Sequence, residues 1–294
     1  MANAPLLDRA FLERLERLTI HWQRSFAGLV GGHNRSRFAG SGQEFLDHRN
    51  FHHGDDLRAV NWRAYMRLEK LFLKMFQVEP RVPVRLLLDT SASMTAHGGV
   101  KFDLARKLAG ALCYVGLVRL DSIEVHGFAS RLRGRVNASG GRHRFRGVSD
   151  GLLAMEASGA TDYGAMVREF IGTFRQRGLV MIISDFLDDQ NCERALQYLA
   201  DFGHELMLLQ VFAPEDRDPP WTGELEVRDA ETGASMKLDF DEDARQRYRE
   251  AFDQYCNVIQ TLALRSGGRY ASLTTDQSLD NVIFGELVRI RGIA

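Results

Sequence analysis

The sequence predicts an α/β fold in which a mostly parallel sheet is covered by helices on both faces. Continuously apolar segments such as Leu179–Ser184 and Leu206–Phe212 alternate with segments of helical periodicity. Strands that are apolar throughout are buried on both faces, which is typical of parallel sheets flanked by helices. With 294 residues, the chain can form a full core, either as one large domain or as a domain with an added lobe.

The first eighty residues have too few apolar positions to fold convincingly alone. Residues 6–26 show the periodicity of an amphipathic helix. Residues 28–42 are rich in glycine and arginine and are interpreted as a loop, and residues 71–78 alternate as a strand does. We therefore expect residues 1–80 to form an N-terminal lobe of helix and β-structure, packed on a main domain of residues 81–294.

Strand and helix patterns alternate from Val82 onward. The predicted strands are Val84–Leu88, Ser122–Phe128, Leu132–Val136, Leu179–Ser184, Leu206–Phe212 and Tyr270–Leu273. The predicted helices span residues 101–119, 163–177, 191–202, 243–265 and 278–291. Leu132–Val136 follows the preceding strand closely, so antiparallel pairing is expected. Two further strands predict a surface β-hairpin, inserted at about residues 222–240.

Composition and charge restrict the classes of function. The formal net charge is −1 at pH 7, which argues against nucleic acid or an anionic membrane as the main partner. Cys113, Cys192 and Cys256 lack metal-ligand spacing, which favours a reducing compartment. The first residues lack the apolar core of a signal peptide, and no apolar run approaches the roughly twenty residues of a membrane helix. We expect a cytoplasmic, soluble protein without direct membrane insertion.

A candidate metal site follows the first strand of the main domain. Asp89, Ser91 and Ser93 place one carboxylate and two hydroxyls on a tight loop at the carboxyl end of that strand. Ligands of open α/β sheets bind at this edge. Oxygen donors suit a small hard cation, Mg²⁺ first, with Mn²⁺ or Ca²⁺ as alternatives. The loop therefore predicts metal-dependent docking more readily than catalysis.

Two residues from distant segments complete the predicted site. Thr161 comes just before a predicted helix, and Asp185 directly follows the predicted strand Leu179–Ser184. If that strand neighbours the first one, all five oxygen-bearing side chains converge. The alternative is purely structural: the serines shape a turn, Thr161 or Asp162 caps a helix, and Asp185 is a solvated residue at a strand end.

These five positions resemble a von Willebrand factor A-type domain with a metal-ion-dependent adhesion site. The upstream sequence resembles the family called domain of unknown function 58. The segments that carry this second resemblance are Gly42–Phe45, Asp47–Arg49, Gly54–Arg58, Trp62, the run of Arg67, Leu71, Lys74, Phe76 and Glu79, then Asp229–Gly233 and Thr275–Asp276. The resemblance covers nearly the whole chain from about residue 28.

The resemblance implies a von Willebrand factor A-like, Rossmann-like fold and a short family member without membrane helices. It implies that Asp89, Ser91, Ser93, Thr161 and Asp185 bind the metal. The family is often associated with MoxR-type AAA+ ATPases, in pairs thought to assemble or activate other proteins as chaperones do. The implied partner is such an ATPase or its client, supplying a Glu or Asp to the metal.

A second group of residues is a candidate partner surface. It comprises Gly54, Asp55, Asp56, Arg58, Arg142 and Arg144. For the first four we favour a structural turn, whose acids pair with Arg58 or Arg63 while Trp62 packs into the core. Arg142 and Arg144 belong to an arginine-rich stripe around Leu132–Val136. Such a stripe protects an edge strand from aggregation, or it helps select an acidic partner.

Two functions compete. The first is a non-catalytic interaction module whose affinity depends on a divalent cation. The second is a metal-dependent hydrolase or phosphatase with Asp89 as nucleophile. Phosphoryl-transfer aspartate enzymes of this topology usually place another acid two residues on, where this chain has Ser91, and no His or Lys is obviously placed as a base or anchor. The sequence therefore favours the interaction module.

Overall fold

The structure is a computed structural model that describes residues 5–21, 37–39, 44–52, 55, 57, 60–77, 82–187 and 192–293. The chain forms two compact units, one of Met1–Arg24 with Pro83–Ala294 and one of Ser25–Val82. The first helix thus groups with the large unit, whereas the sequence analysis assigned it to a lobe of residues 1–80.

The N-terminal helix α1 (Arg9–Leu15) begins at Asp8, whose carboxylate accepts a hydrogen bond from the Phe11 N–H at 2.8 Å. Phe11 and Leu15 are buried in the core of the large unit. The helix is shorter than the predicted 6–26. The chain leaves the helix after Leu15, and Ile20 forms an antiparallel bridge with Ile293. Residues 22–26 lie outside the described part.

The smaller unit contains a three-stranded antiparallel sheet in the order β1-β3-β2. Its strands are β1 (Arg37–Ala39), β2 (Glu44–Asn50) and β3 (Phe72–Gln77). The predicted strand at residues 71–78 is confirmed by β3. The predicted loop at residues 28–42 was wrong at β1, where three residues pair with β3; the rest of that loop lies outside the described residues.

A helix that the sequence analysis missed, α2 (Trp62–Leu68), precedes β3. Asn61 caps it by accepting a hydrogen bond from the Ala64 N–H at 3.3 Å. Trp62, Tyr65 and Met66 repeat at helical spacing in the sequence, yet none of the helix's residues is buried. Trp62 is 55% exposed, and the expectation that it packs into the core was wrong.

The large unit is built on a six-stranded sheet in the order β11-β8-β7-β4-β5-β6. Its strands are β4 (Val84–Asp89), β5 (Ile123–Phe128), β6 (Leu132–Ala138), β7 (Leu179–Ser184), β8 (Glu205–Phe212) and β11 (Arg269–Thr274). All neighbours pair in parallel except β5 with β6, which pair antiparallel as expected. The predicted α/β class is confirmed.

Successive residues of β4 enter different cores. Leu86 and Leu88 pack into one cluster, and Leu87 packs into the other on the opposite face of the sheet. Side chains alternate across a strand, so a strand with a core on each face must be apolar throughout. Asp89 therefore lies on the same face as Leu87, and Asp185 on the opposite face from Ser184.

Helices cover both faces of this sheet. They are α3 (Val100–Val118), α4 (Phe145–Leu153), α5 (Tyr163–Thr173), α6 (Cys192–Asp201), the single-turn α7 (Pro214–Arg217) and α8 (Glu242–Arg265). Residues of α1, α3 and α4 line one core, and residues of α5, α6 and α8 line the other. The helix predicted at 163–177 ends earlier, at Thr173, and α4 was not predicted. The closing segment contains a π-helix at Asn281–Leu287 inside the predicted 278–291.

The predicted hairpin is present as β9 (Gly223–Arg228) and β10 (Ser235–Phe240), paired antiparallel as a separate two-stranded sheet. Among the residues described, no helix combines the length and apolar character needed to cross a membrane.

Candidate metal-binding site

Asp89 is the last residue of β4, and its buried carboxylate is fixed by two hydrogen bonds. The Ser91 N–H donates to Oδ1 at 2.8 Å, and the Ser184 hydroxyl donates to Oδ2 at 2.6 Å. Ser184 ends β7, which pairs with β4 so that Leu88 faces Ile183. The predicted neighbour relation between the two strands therefore holds, and it brings the two strand ends together.

Ser184 holds Asp89 in place through a small buried network. Its oxygen accepts the Phe186 N–H at 2.9 Å and lies 2.6 Å from the Tyr163 hydroxyl. Because Ser184 gives its only hydroxyl proton to Asp89, Tyr163 is the donor in the second contact. Three elements thus determine the orientation of one carboxylate.

The hydroxyl oxygens of Ser91 and Ser93 lie 2.9 Å apart and share a hydrogen bond. Ser91 is buried, and Ser93 starts to emerge at the beginning of a 3₁₀ segment, Ala92–Gly99. Mg²⁺ holds its ligands at 2.0–2.1 Å in an octahedron, whose adjacent corners are about 2.9 Å apart. The two hydroxyls therefore already have the separation of neighbouring ligands.

Asp185 directly follows Ser184 and is also buried, but it points to the opposite side of β7. Its Oδ2 accepts a hydrogen bond from Lys101 Nζ at 2.8 Å, and its Oδ1 accepts one from the Leu187 N–H at 3.3 Å. The next residue, Phe186, has φ of +56°, which is uncommon for a bulky side chain. The backbone is thus held in an unfavourable conformation immediately after the carboxylate.

The sequence analysis did not single out Lys101, whose side chain is only 2% exposed. Its Nζ lies 2.8 Å from Asp185 and 3.2 Å from Asp216, and Asp216 also contacts His97 Nε2 at 2.8 Å. Burial by itself would lower the pKa of Lys101, but the two carboxylates outweigh it and raise that pKa. Lys101 is therefore a charged group inside the candidate site.

The pKa of Asp89 is raised to about 7, first because burial disfavours the charged form and second because Asp185 repels it. The hydrogen bonds from Ser184 and Ser91 act in the opposite direction. Burial and the neighbouring carboxylate thus both disfavour the ionised form of Asp89.

Thr161 lies on a segment that packs against the loop after β4. The Ser158 N–H donates to Thr90 O, and the Ala92 N–H donates to Gly159 O, both at 2.8 Å. Two residues of chain from Gly159 keep Thr161 within roughly 10 Å of that loop. Asp162, not Thr161, caps α5, by accepting the Ala165 N–H at 2.8 Å.

Thr161 itself binds a residue that the sequence analysis did not assign to the candidate site. Its N–H donates to Glu231 Oε2 at 2.8 Å, and its hydroxyl donates to Glu231 Oε1 at 3.0 Å. Glu231 lies in the turn between β9 and β10, seventy positions further along the chain. Nothing in that polar turn signals the contact in the sequence.

Arg133 of β6 is one of the arginines in the predicted stripe. It connects the loop after β4, at Thr90, to the segment before α5, at Ser158. Its guanidinium donates to Thr90 O and to Ser158 O, each at 2.6 Å, and to Thr90 Oγ1 at 2.8 Å. Arg135 instead pairs with Glu124 at the surface. The arginines of this strand therefore have different partners.

The candidate partner-surface residues are only partly described, since Gly54, Asp56 and Arg58 lie outside the described residues. Asp55 binds Arg49 at 2.8 Å and accepts the His52 N–H at 2.8 Å, so Arg49 provides an ion pair in this turn. The expected pairs of Asp56 and of Arg58 lie outside the described residues. Arg142 pairs with Glu16 at 2.9 Å, and Arg144 is exposed.

The donor set fits a small hard cation. Asp89, Asp185, Ser91, Ser93 and Thr161 supply only oxygen, the donor atom that Mg²⁺ prefers. Each carboxylate accepts two hydrogen bonds and has about four lone-pair sites, so capacity is left for an ion. No three His, Cys, Asp or Glu side chains cluster as metal ligands in the described ranges, so hydroxyls would form the majority of protein donors here.

The family profile described as Protein of unknown function DUF58 matches residues 47–257. The chain belongs to this family. This DUF58 protein is 26% identical over 286 residues to Uncharacterized protein Rv1480 of Mycobacterium tuberculosis, a match that covers 94% of this chain and 89% of the relative. The predicted family membership is confirmed.

Solved structures with some similarity to this DUF58 protein include BatB from Bacteroides thetaiotaomicron, with a TM-score of 0.44 and 19% identity, covering 71% of this chain and 98% of that one. A von Willebrand factor type A structure from Catenulispora acidiphila matches with a TM-score of 0.35 and 11% identity, over 64% of this chain and 44% of that one.

Proposed function

We propose that this DUF58 protein is a non-catalytic interaction module whose binding to a protein partner depends on a divalent cation, Mg²⁺ in the first place. The observation that supports the proposal is that Asp89 and Asp185 stand at the carboxyl ends of two paired strands, while the Ser91 and Ser93 hydroxyls lie 2.9 Å apart on the loop after the first strand. Asp89, Ser91, Ser93, Thr161 and Asp185 hold the ion. The cation supplies an electropositive position that a partner's Glu or Asp can bind.

The surroundings of Asp89 support docking over catalysis. A nucleophilic carboxylate must reach the substrate directly, whereas the Asp89 side chain is buried and held by the Ser91 N–H and the Ser184 hydroxyl. The nearby basic groups are engaged elsewhere: Lys101 binds Asp185 and Asp216, and His97 binds Asp216. A hydrolase using Asp89 is the competing proposal.

Family membership supports the choice of partner. DUF58 proteins are associated with MoxR-type AAA+ ATPases, so we propose that the partner is such an ATPase or its client, in a chaperone-like role in the cytoplasm. This partnership rests on the family resemblance, and the metal site is the surface through which it would act.

Binding of Mn²⁺ to the purified protein, followed by electron paramagnetic resonance, tests the metal site. We expect one bound ion in the wild type, competition by Mg²⁺, and loss of binding in Asp89→Ala. Asp103→Ala is the matched control, because this carboxylate is partly exposed and pairs only with surface groups of its own helix. Wild-type affinity in Asp89→Ala would refute the site.

The docking function is tested with the MoxR-type ATPase of the same organism as immobilised bait, in Mg²⁺ or in EDTA. Retention only in Mg²⁺, lost in Asp89→Ala and kept in Asp103→Ala, supports docking. Turnover of p-nitrophenyl phosphate that disappears in Asp89→Ala but not in the control would establish the competing enzyme.

A further inference from the structure

Glu231 forms a two-point contact with a proposed metal ligand. Both of its carboxylate oxygens accept hydrogen bonds from Thr161, one from the backbone N–H at 2.8 Å and one from the hydroxyl at 3.0 Å. Hydrogen bonds to an ionised carboxylate are stronger than neutral ones, and a two-point contact also fixes orientation. Thr161 is thus a carboxylate-binding position, and this chain fills it with its own side chain.

The turn that presents Glu231 has a defined shape. The Asp229 carboxylate accepts the Glu231 N–H at 2.7 Å and the Thr232 N–H at 3.0 Å. Gly233 has φ of +74°, a conformation that glycine adopts easily, and its N–H donates to Asp229 O at 3.0 Å. The glutamate is therefore held ready on a closed turn instead of a loose loop.

The hairpin that carries this turn is poorly anchored otherwise. Of its strand residues only Phe240, at the far end, is buried, and near the turn Val227 is 42% and Met236 is 64% exposed. Where the structure describes side chains, Glu231 makes the hairpin's only hydrogen bonds to the sheet-and-helix body. Releasing this one side chain would therefore free the turn without disturbing the core.

We propose that Thr161 is an exchange position, occupied by Glu231 of this chain in the free protein and by an acidic side chain of the partner in the complex. This inference rests on the proposed function. The partner's carboxylate must displace Glu231 before it can bind. The apparent affinity for the partner is therefore the intrinsic affinity multiplied by the fraction of molecules in which the hairpin is released. A partner must accordingly present an exposed Glu or Asp on a turn or loop narrow enough to replace the tip of the hairpin.

The test supplies the turn in trans. The probe is a synthetic peptide of residues 228–235, which contains Glu231, and the control peptide carries Gln at that position. Titration calorimetry in Mg²⁺ compares the wild type, Glu231→Ala and Glu226→Ala. The last variant removes an exposed acid of β9 and is the matched control. We expect the peptide to bind Glu231→Ala about tenfold more tightly than the other two proteins, and the Gln peptide to bind none of them well.

Hydrogen exchange of residues 223–240 provides a second measurement that needs no ligand. Faster exchange at the turn in Glu231→Ala than in Glu226→Ala supports the exchange position, and equal exchange together with equal peptide affinities overturns it. The metal proposal can fail independently of this one. If EDTA leaves peptide binding unchanged, Thr161 still binds carboxylates but the metal dependence is refuted. If Mn²⁺ binds but Glu231→Ala changes neither measurement, the metal site stands and the exchange position is refuted.

Discussion

Replacing Lys101 by Met tests how the charges of the candidate site are balanced. Methionine has a similar length and apolar stem, so the core contacts of the side chain are largely kept while the ammonium is lost. The ammonium contacts Asp185 at 2.8 Å and Asp216 at 3.2 Å, and Lys101 and Asp185 are almost completely buried. Solvent therefore screens these contacts little, unlike a surface pair.

Removing one partner of a buried ion pair typically costs about 3–5 kcal/mol, because the other charge stays buried without compensation. We expect a loss near the lower end, about 3 kcal/mol, since Asp216 keeps His97 at 2.8 Å and the Ala213 N–H at 2.9 Å. Urea unfolding in EDTA measures this loss.

Lys107→Met is the matched control, because Lys107 is 41% exposed and pairs with a half-exposed Asp103. Its expected effect is below about 1 kcal/mol. If Mg²⁺ binds beside Asp185, saturating Mg²⁺ should restore more stability to Lys101→Met than to Lys107→Met. A loss in EDTA no larger than that of the control would refute the reasoning.

Three further changes test the surroundings. Burial lowers the pKa of His204 from 6.5 to about 4, so the folded state favours the neutral imidazole. As the pH falls from 7 to 5 the unfolded state takes up the proton first, and the free energy of unfolding should fall by about 2 kcal/mol. His204→Gln should lose this part of the pH dependence in urea unfolding. Arg133→Met should weaken Mn²⁺ binding about tenfold by loosening two loops, while Arg135→Met should not. Gly178→Ala should lower the free energy of unfolding by about 2 kcal/mol, because its Cβ would lie 2.2 Å from a backbone oxygen. The control Gly172→Ala, at an open helical position, should be neutral or slightly stabilising. Thermal unfolding measures both.

The carboxylates of the site could be predicted because the information is local. Asp89 and Asp185 each end an apolar segment, and parallel strands bring their carboxyl ends to one edge of the sheet. Periodicity gave these strands and most helices within a few residues. For α2 the helical spacing of Trp62, Tyr65 and Met66 was a signal that was not used. Periodicity failed at β1, where three residues with no apolar pattern pair with a neighbour.

Lys101 and Glu231 were missed for different reasons. Lys101 lies on the buried stripe of α3, in helical register with Leu104 and Leu108, so a charged residue on an apolar stripe was a signal that could have been used. Glu231 had no such signal, because it is one acid in a polar turn and its partner lies seventy residues away. Contacts of this kind depend on the packing of distant segments and become visible only in three dimensions.

The charges near Lys101 suggest a role for one lysine in the proposed metal site. Asp89, Asp185 and Asp216 are three carboxylates with little exposure, and Lys101 compensates one of them. The two charges left over match a single divalent cation. Without Lys101, the carboxylates would neutralise such a cation more than completely, and a further carboxylate would be repelled. In the proposed complex Lys101 therefore keeps the site from carrying a net negative charge that would repel an acidic side chain of the partner.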